Sequence, residues 1–116
     1  MHEAATEELQ AFKAAFLRAL AHPVRIRILE ILVVGEQSVQ ELQEALDLDQ
    51  PIVSQQLAML RAKNIVTARK EGTTVRYTIR NPLIAELLAI ARQIFDTQLI
   101  DSQTMLRELR REGRRP

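Results

Sequence analysis

The stretch that decides the fold is SVQELQEALDLDQPIVSQQLAMLRAK, residues 38–63. Ser38 followed by Glu41 gives the S-x-x-E pattern of a capping box, which begins a helix. A second helix is expected after the LDLD turn, because Asp49 can cap it and Pro51 is tolerated in a first helical turn. Two short helices joined by a tight turn are typical of a helix-turn-helix.

The second of these helices has an apolar and a polar side. Its inward positions are predicted to be Ile52 or Val53, then Leu57, then Met59 or Leu60, at helical spacing. Its outward side chains are polar and of a kind that can reach base edges. They are Ser54, Gln55, Gln56 and Arg61.

Two further helices are expected upstream. Apolar residues recur every three or four positions over residues 6–20, which indicates an amphipathic helix. His22-Pro23 interrupts it, because the residue before a proline is pushed out of helical space, and Pro23 suits the first turn of the next helix. That next helix is apolar nearly all round, so we expect it to be buried and to end at Gly35.

Downstream of the central stretch the hydrophobic period changes from helix to strand. Residues 65–70 and 74–79 alternate and are β-branched, and the Glu71-Gly72-Thr73 link between them predicts a hairpin. Asn81 is then expected to cap a long last helix with Pro82 in its first turn. We expect the polar residues 101–104 to break or fray this helix and residues 107–116 to form a loose basic tail, although residues 105–109 could continue the helix.

The prediction is an α+β, mainly helical, winged helix-turn-helix with about five helices and a two-stranded hairpin as the wing. Residues 1–100 are expected to form the DNA-binding and dimerisation domain, and residues 101–116 a helical extension or basic tail. No repeat or linker interrupts the chain.

The charge of the chain is segregated along the sequence. Net charge is only +1, yet residues 54–80 hold six Lys or Arg against one Glu, a balance of +5, while residues 28–60 hold six acidic residues and no Lys or Arg. A basic segment of this kind suits a phosphate-binding surface, although a solvated basic surface is the alternative.

Composition excludes several classes of protein. The chain has no cysteine, which rules out disulfides, thiolate metal ligands, thiol switches and cysteine nucleophiles. We find no Gly-rich phosphate loop and no His-carboxylate cluster, so an enzyme is not expected. There is no apolar run long enough for a membrane span and no signal sequence, so a cytoplasmic protein is predicted.

Three ordered motifs closely resemble the ArsR family of bacterial winged-helix repressors. They are HP-x-R-x-x-I-L from His22, V-S-Q-x-L-x-x-L-R from Val53, and R-x-x-G-x-x-V-x-Y from Arg69. The resemblance runs without a gap from Ala19 to Ile79. Each motif alone is weak, but three in register make a strong match.

The resemblance implies a homodimer that binds a double-stranded DNA operator through a helix in the major groove. Gln can bond N6 and N7 of adenine together, and Ser can bond a base edge or a phosphate. An ordinary solvated helix face is the alternative for the two glutamines, and pairing across the hairpin is the alternative for the wing arginines. The DNA-binding residues so implied are Gln50, Ser54, Gln55, Gln56, Arg61, Lys63, Arg69, Lys70, Thr73, Thr74 and Arg76.

One departure from the family pattern bears on the operator. Ser and Thr are common in that family where Pro51 and Ile52 stand here. Proline removes an N–H that could hold a phosphate, and Ile52 offers only apolar contact to a thymine methyl. We therefore expect an operator sequence different from those of well-known relatives.

The first and last helices are implied to form the dimer, because they carry more apolar surface than so small a domain can cover. Packing of these helices within one monomer is the alternative. The predicted interface residues are Leu9, Phe12, Phe16, Leu87, Ile94, Phe95 and Leu99.

Family metal sites have no counterpart in this sequence. The cysteine-pair positions match Ser38 and Gln40, and the last helix has no histidine. His22 is interpreted as a structural residue at a helix junction. We expect no cofactor, and an effector, if one exists, that is a small organic molecule or a protein. The competing hypothesis for the whole chain is a winged-helix module that binds protein and no specific operator.

Overall fold

The structure, a computed structural model, describes residues 2–113. Within that range the helices are α1 His2–Leu20, α2 Pro23–Val34, α3 Val39–Leu46, α4 Gln50–Ala62 and α5 Leu83–Gly113, and the strands are β1 Gln37–Ser38, β2 Val66–Glu71 and β3 Thr74–Ile79. The predicted winged helix-turn-helix of five helices is confirmed. The chain divides into two units at the Pro82–Leu83 bond, and each unit is described by itself.

The core of the first unit is built from α2, α3, α4 and the sheet. Leu57 and Leu60 of α4 are completely buried, as are Ile28 and Leu29 of α2. These helices contact one another and α2 also contacts β3. Other buried apolar residues of this unit are Ala19, Leu20, Leu32, Leu42, Leu46, Val53, Ile65 and Val66.

The helix boundaries follow from local side-chain chemistry. His22 caps α2, because its Nδ1 accepts a hydrogen bond from the Val24 N–H at 3.1 Å. Ser38 caps α3 in a complete capping box with Glu41, as predicted. The prediction for Asp49 is only half right: it occupies the N-cap of α4 but its side chain makes no cap hydrogen bond. The turn before it is made by Asp47 in the left-handed conformation.

The sheet has a third strand that the sequence did not predict. Its order is β1-β3-β2, and the two-residue β1 pairs antiparallel with β3 through Gln37 opposite Tyr77 and Ser38 opposite Arg76. β2 and β3 form the predicted hairpin, closed by Gly72 and Thr73, where Gly72 has φ 64°. Such a φ at the first central position matches a type II′ hairpin turn, which favours glycine.

α5 is one continuous helix of 31 residues. The expected break at residues 101–104 is therefore wrong, and so is the expected loose tail over residues 107–113, while residues 114–116 lie outside the described residues. Thr97 and Thr104 donate their hydroxyls to the carbonyls of Gln93 and Ile100, one turn earlier. These bonds satisfy the polar side chains inside the helix and so keep them compatible with it. The helix also begins at Leu83, one residue after the predicted Pro82.

Candidate nucleic-acid interface

The two sides of α4 differ sharply in burial. Val53, Leu57 and Leu60 have no exposed surface, whereas Ile52 and Met59 are 41% and 47% exposed. The alternatives left open by the sequence are thereby resolved in favour of Val53 and Leu60 as the inward residues. The opposite side of the helix is polar and open to solvent, with Gln50 and Gln55 exposed and Ser54 and Gln56 half-buried.

Several polar side chains on α4 form hydrogen bonds within the protein. Gln50 donates from Nε2 to the Ser54 hydroxyl at 2.6 Å, so these two residues one turn apart form a unit. Gln56 accepts at Oε1 from Nη1 of Arg25 at 3.2 Å. Within residues 2–113, Gln55 has no side-chain hydrogen bond and therefore keeps both its donor and its acceptor available.

Arg25 is a site residue that the sequence did not single out. Its Nη2 lies 3.4 Å from the Arg18 carbonyl oxygen, so one guanidinium joins the end of α1 to α2 and α4. Its Nε is buried and has no hydrogen-bond partner among the described residues. The R of the HP-x-R motif was visible, but its partner Gln56 is 31 residues away and no local pattern indicates the pair.

Basic residues follow the end of α4. Arg61 lies in the last turn and Lys63 at the C-cap, and both are exposed. Asn64 then adopts the left-handed conformation with φ 58°, and its side-chain oxygen accepts from Arg80 at 3.4 Å. This turn carries the chain from α4 into the wing and leaves both cations at the surface.

The wing arginines are engaged in ion pairs within the protein. Arg69 contacts Glu36 at 2.6 Å and Glu71 at 3.2 Å. Arg76 lies directly opposite Arg69 in the hairpin and contacts Glu36 at 2.6 Å and Glu41 at 3.1 Å. One contact crosses the hairpin, from Arg76 Nε to Glu71 at 3.9 Å, so the alternative of pairing across the hairpin holds for Arg76. The two acidic partners from outside the wing were missed because they lie 33 to 40 residues away.

These contacts shift two ionisation equilibria. The hydrogen bond to Glu36 and the nearby Glu41 carboxylate raise the pKa of Arg76. Hydrogen bonds from Ser38, with a further contribution from Arg76, lower the pKa of Glu41. The acidic segment before α4 and the basic segment after it, separate in sequence, are therefore in contact here, which reduces the positive charge that the wing offers to DNA.

The tip of the wing keeps open groups. Lys70, Thr73 and Thr74 are exposed, and Lys70 has no ion pair within the part of the chain that the structure describes. Thr67 and Thr78, deeper in the hairpin, share a hydroxyl hydrogen bond of 2.9 Å across the strands. The hairpin is thus fixed at its base and polar at its tip.

Most of the predicted dimer residues are exposed. On α1, Phe12 is 73% exposed and Leu9 also lies open, while Phe16 is half-buried. On α5, Phe95 is 63% exposed. Leu87, Ile94 and Leu99 of the same helix are exposed as well. So many exposed large apolar side chains are typical of a surface that another molecule covers.

The described residues hold neither a metal-binding cluster nor a membrane-spanning helix. Nowhere in residues 2–113 do three or more His, Asp or Glu side chains gather in a way that could hold a metal ion. Ser38, which stands at one of the two cysteine-pair positions, is buried, and its hydroxyl accepts a hydrogen bond from the Glu41 N–H in the α3 capping box. Over the same range, no helix is long and apolar enough to cross a membrane.

Comparison with known proteins adds relatives that cover nearly the whole chain. The transcriptional regulator Rv0081 of Mycobacterium tuberculosis is 45% identical over 109 residues, 93% of this chain and 96% of the relative. Its crystal structure superimposes with a TM-score of 0.76 at 46% identity, covering 81% of this chain and 95% of that one.

Two other proteins are similar at lower identity. The biofilm growth-associated repressor of Xylella fastidiosa is 39% identical over 85 residues, 73% of this chain and 75% of the relative. The homodimeric winged helix-turn-helix DNA-binding domain of Mb0332 from Mycobacterium bovis has a TM-score of 0.74 at 31% identity, covering 81% of this chain and 87% of that one.

A family model agrees with these relatives. Residues 22–68, from the His22 cap through the helix-turn-helix into β2, match the model of the bacterial regulatory proteins of the arsR family. With a relative 45% identical over almost its full length, the chain belongs to the ArsR family and is a winged helix-turn-helix transcriptional regulator.

Proposed function

We propose that the protein is a homodimeric repressor that binds a palindromic double-stranded operator with α4 of each protomer in a major groove. The observation that carries this proposal is the division of α4. Its inward apolar residues Val53, Leu57 and Leu60 are wholly buried in the first unit, and its outer side carries accessible polar residues. A helix whose apolar side is packed into the core in this way can present its polar side chains to base edges without a rearrangement of the core.

The polar residues of α4 and of the wing are proposed to make different kinds of contact with DNA. Gln55, exposed and without a partner among residues 2–113, is proposed to bond adenine through both amide atoms. The Gln50–Ser54 pair is proposed to bond a base edge or a phosphate. Arg61 and Lys63 at the end of α4, and Lys70, Thr73 and Thr74 on the wing, are proposed to contact phosphates.

Arg69 and Arg76 are proposed to serve DNA binding differently. Arg76, whose side chain is only 26% exposed, holds the wing against Glu36 and Glu41. Arg69 is 59% exposed and can exchange one of its carboxylates for a phosphate. We therefore propose that Arg76 orients the wing and that Arg69 contacts DNA.

Dimerisation is proposed to use the exposed apolar residues of α1 and of α5. Support comes from their exposure in a single chain and from the homodimeric state named for the Mycobacterium bovis relative. We propose residues 1–100 as the DNA-binding and dimerisation domain, with residues 101–116 as an extension. The protein would act in the cytoplasm and respond to a small organic molecule or a protein, or to no effector.

The test is selection of bound fragments from random double-stranded DNA, followed by gel shifts with rising salt. Four cations of each protomer are proposed to contact phosphates: Arg61, Lys63 and Lys70, which are exposed and have no ion pair within residues 2–113, and Arg69. A dimer would then neutralise twice four, or eight, phosphates, and log K should fall with log salt with a slope of about −7. Recovery of no common sequence, or binding that does not weaken with salt, would favour the protein-binding module.

Repression is tested on the selected operator. In transcription with purified polymerase, the protein should reduce transcripts from a promoter that overlaps the operator. A matched promoter with a scrambled operator is the control. Increased transcription would instead identify an activator.

A further inference from the structure

The contact between Arg25 and Gln56 joins the start of α2 to the DNA-facing side of α4. We propose that Arg25 is a specificity-determining positioning residue: it holds the amide oxygen of Gln56 toward α2, so that Gln56 presents its amide N–H groups to DNA. The proposal rests on the proposed function and names the class of base that this position of α4 would read.

The chemistry of the pair fixes the orientation of the Gln56 amide. A guanidinium has five N–H donors and no acceptor, so the amide atom turned toward it must be the oxygen. Nη1 of Arg25 lies 3.2 Å from that oxygen. Nη2 lies 3.4 Å from the Arg18 carbonyl, which holds the guanidinium from a second side.

This orientation changes what Gln56 can recognise. A glutamine reads adenine by accepting from N6 and donating to N7 at once, which needs both amide atoms. With its oxygen directed at Arg25, Gln56 has only Nε2 to present. The base edges that accept such a donor in the major groove are O6 and N7 of guanine, O4 of thymine and N7 of adenine. Guanine suits a donor best, because its edge carries two acceptors side by side, whereas the N6 amino group of adenine would be left without an acceptor.

Gln55 provides the contrast within the same helix turn. It is exposed and has no side-chain partner within residues 2–113, so both its amide atoms are available. Adjacent glutamines are therefore expected to read different bases, Gln55 adenine and Gln56 guanine. Sequence alone treats the two residues as equivalent.

A second observation indicates that Arg25 is not placed for stability alone. Its Nε is buried and has no hydrogen-bond partner among the described residues. A buried donor without a partner destabilises the folded state, so a methionine of similar length would suit the packing there at least as well. The two remaining guanidinium nitrogens of Arg25 reach α1 and α4.

The experiment repeats the operator selection with four variants beside the unaltered protein. Gln56→Ala identifies the base pair that Gln56 reads, as the one whose preference it relaxes. At that position the unaltered protein should select a G·C pair. Arg25→Met frees the amide and should raise the frequency of an A·T pair relative to the G·C pair by at least about fivefold. Arg27→Met, an exposed arginine two residues on with no ion pair within residues 2–113, is the matched control and should select the original sequence.

Gln56→Glu gives an independent answer, whether or not Arg25→Met folds. A glutamate still accepts from Arg25 but has no donor, so the G·C pair should invert, which places cytosine, whose N4 donates, where guanine stood. The proposal is overturned if Gln56→Ala relaxes no position, if the unaltered protein selects an A·T pair there, or if Arg25→Met and Gln56→Glu both keep the original preference. Failure of the proposed function is distinguishable, because the unaltered protein would then select no sequence at all.

Discussion

α4 and α5 are both amphipathic helices, but they differ in how far their apolar side chains are buried. The apolar side of α4 is completely buried within the first unit, as Val53, Leu57 and Leu60 show. α5 is more than twice as long and carries large apolar side chains that are more than half exposed, including Phe95 and Leu99.

The difference separates two tasks. A helix whose apolar residues are satisfied inside its own chain can hold its polar side in a fixed position. A helix that leaves apolar residues open needs another surface to cover them. Substitutions on α4 should therefore act on stability or on base preference, and substitutions on α5 on assembly.

The largest effect is expected from Phe95→Asp on α5. A buried carboxylate at the interface should prevent dimerisation, and one half-site lacks the contacts of two, so operator affinity should fall to the non-specific level, about a thousandfold or more. Sedimentation velocity and gel shifts measure both. Gln93→Asp, on the opposite side of the same helix, is the control, and an intact Phe95→Asp dimer would refute the assignment.

Leu57→Ala on α4 should have the second-largest effect. It empties a fully buried site, and such a change costs about 2–5 kcal/mol of unfolding free energy. Urea denaturation monitored by circular dichroism measures the loss. Ile52→Ala on the exposed side of the helix should cost less than about 1 kcal/mol. Equal losses in the two variants would contradict the burial described for α4.

Gln55→Ala should leave stability unchanged and weaken specific operator binding by about 1–3 kcal/mol. The cause is loss of a bidentate base contact, so affinity for unrelated DNA should not change. Gel shifts with the selected operator and with a scrambled one separate the two quantities. If both affinities fall together, Gln55 contacts phosphate and not a base.

The smallest effect concerns the pH dependence of the α3 capping box. Because the pKa of Glu41 is lowered in the folded state, its contribution to stability is complete above the ordinary pKa of a glutamate and is lost as the pH falls through the lowered value. Glu41→Gln should be less stable than the unaltered protein near neutral pH, with a difference that shrinks as the pH falls below the ordinary pKa of a glutamate, about 4.3. Thermal melts across this range measure it, with Glu44→Gln as control. A difference that does not change with pH would show that the charge of Glu41 is unimportant.

Local chemistry made much of this fold predictable from sequence. The Ser38–Glu41 capping box, the glycine turn at Gly72 and the apolar spacing of α4 each act within a few residues, and each prediction is confirmed. The strand β1 was not predictable, because two residues carry no periodicity and pair only through β3.

The candidate site was less predictable than the fold. The polar side of α4 was evident from spacing, but the contacts that modify it were not. Arg25 meets Gln56 and Glu36 meets Arg76 only after the chain has folded, across 31 and 40 residues. The break expected in α5 was wrong for a different reason, since threonine hydroxyls there bond back to the preceding turn.

Because α5 continues to Gly113, the stability of its last turns is expected to depend on protein concentration. Most helices depend on tertiary packing, and the apolar residues Met105, Leu106 and Leu109 are all more than half exposed. If a second copy covers them, ordering of the final turns and association are a single equilibrium, governed by mass action. Backbone amides near Leu109 should then exchange with deuterium faster on dilution and slower on the operator, which gathers two copies in one place.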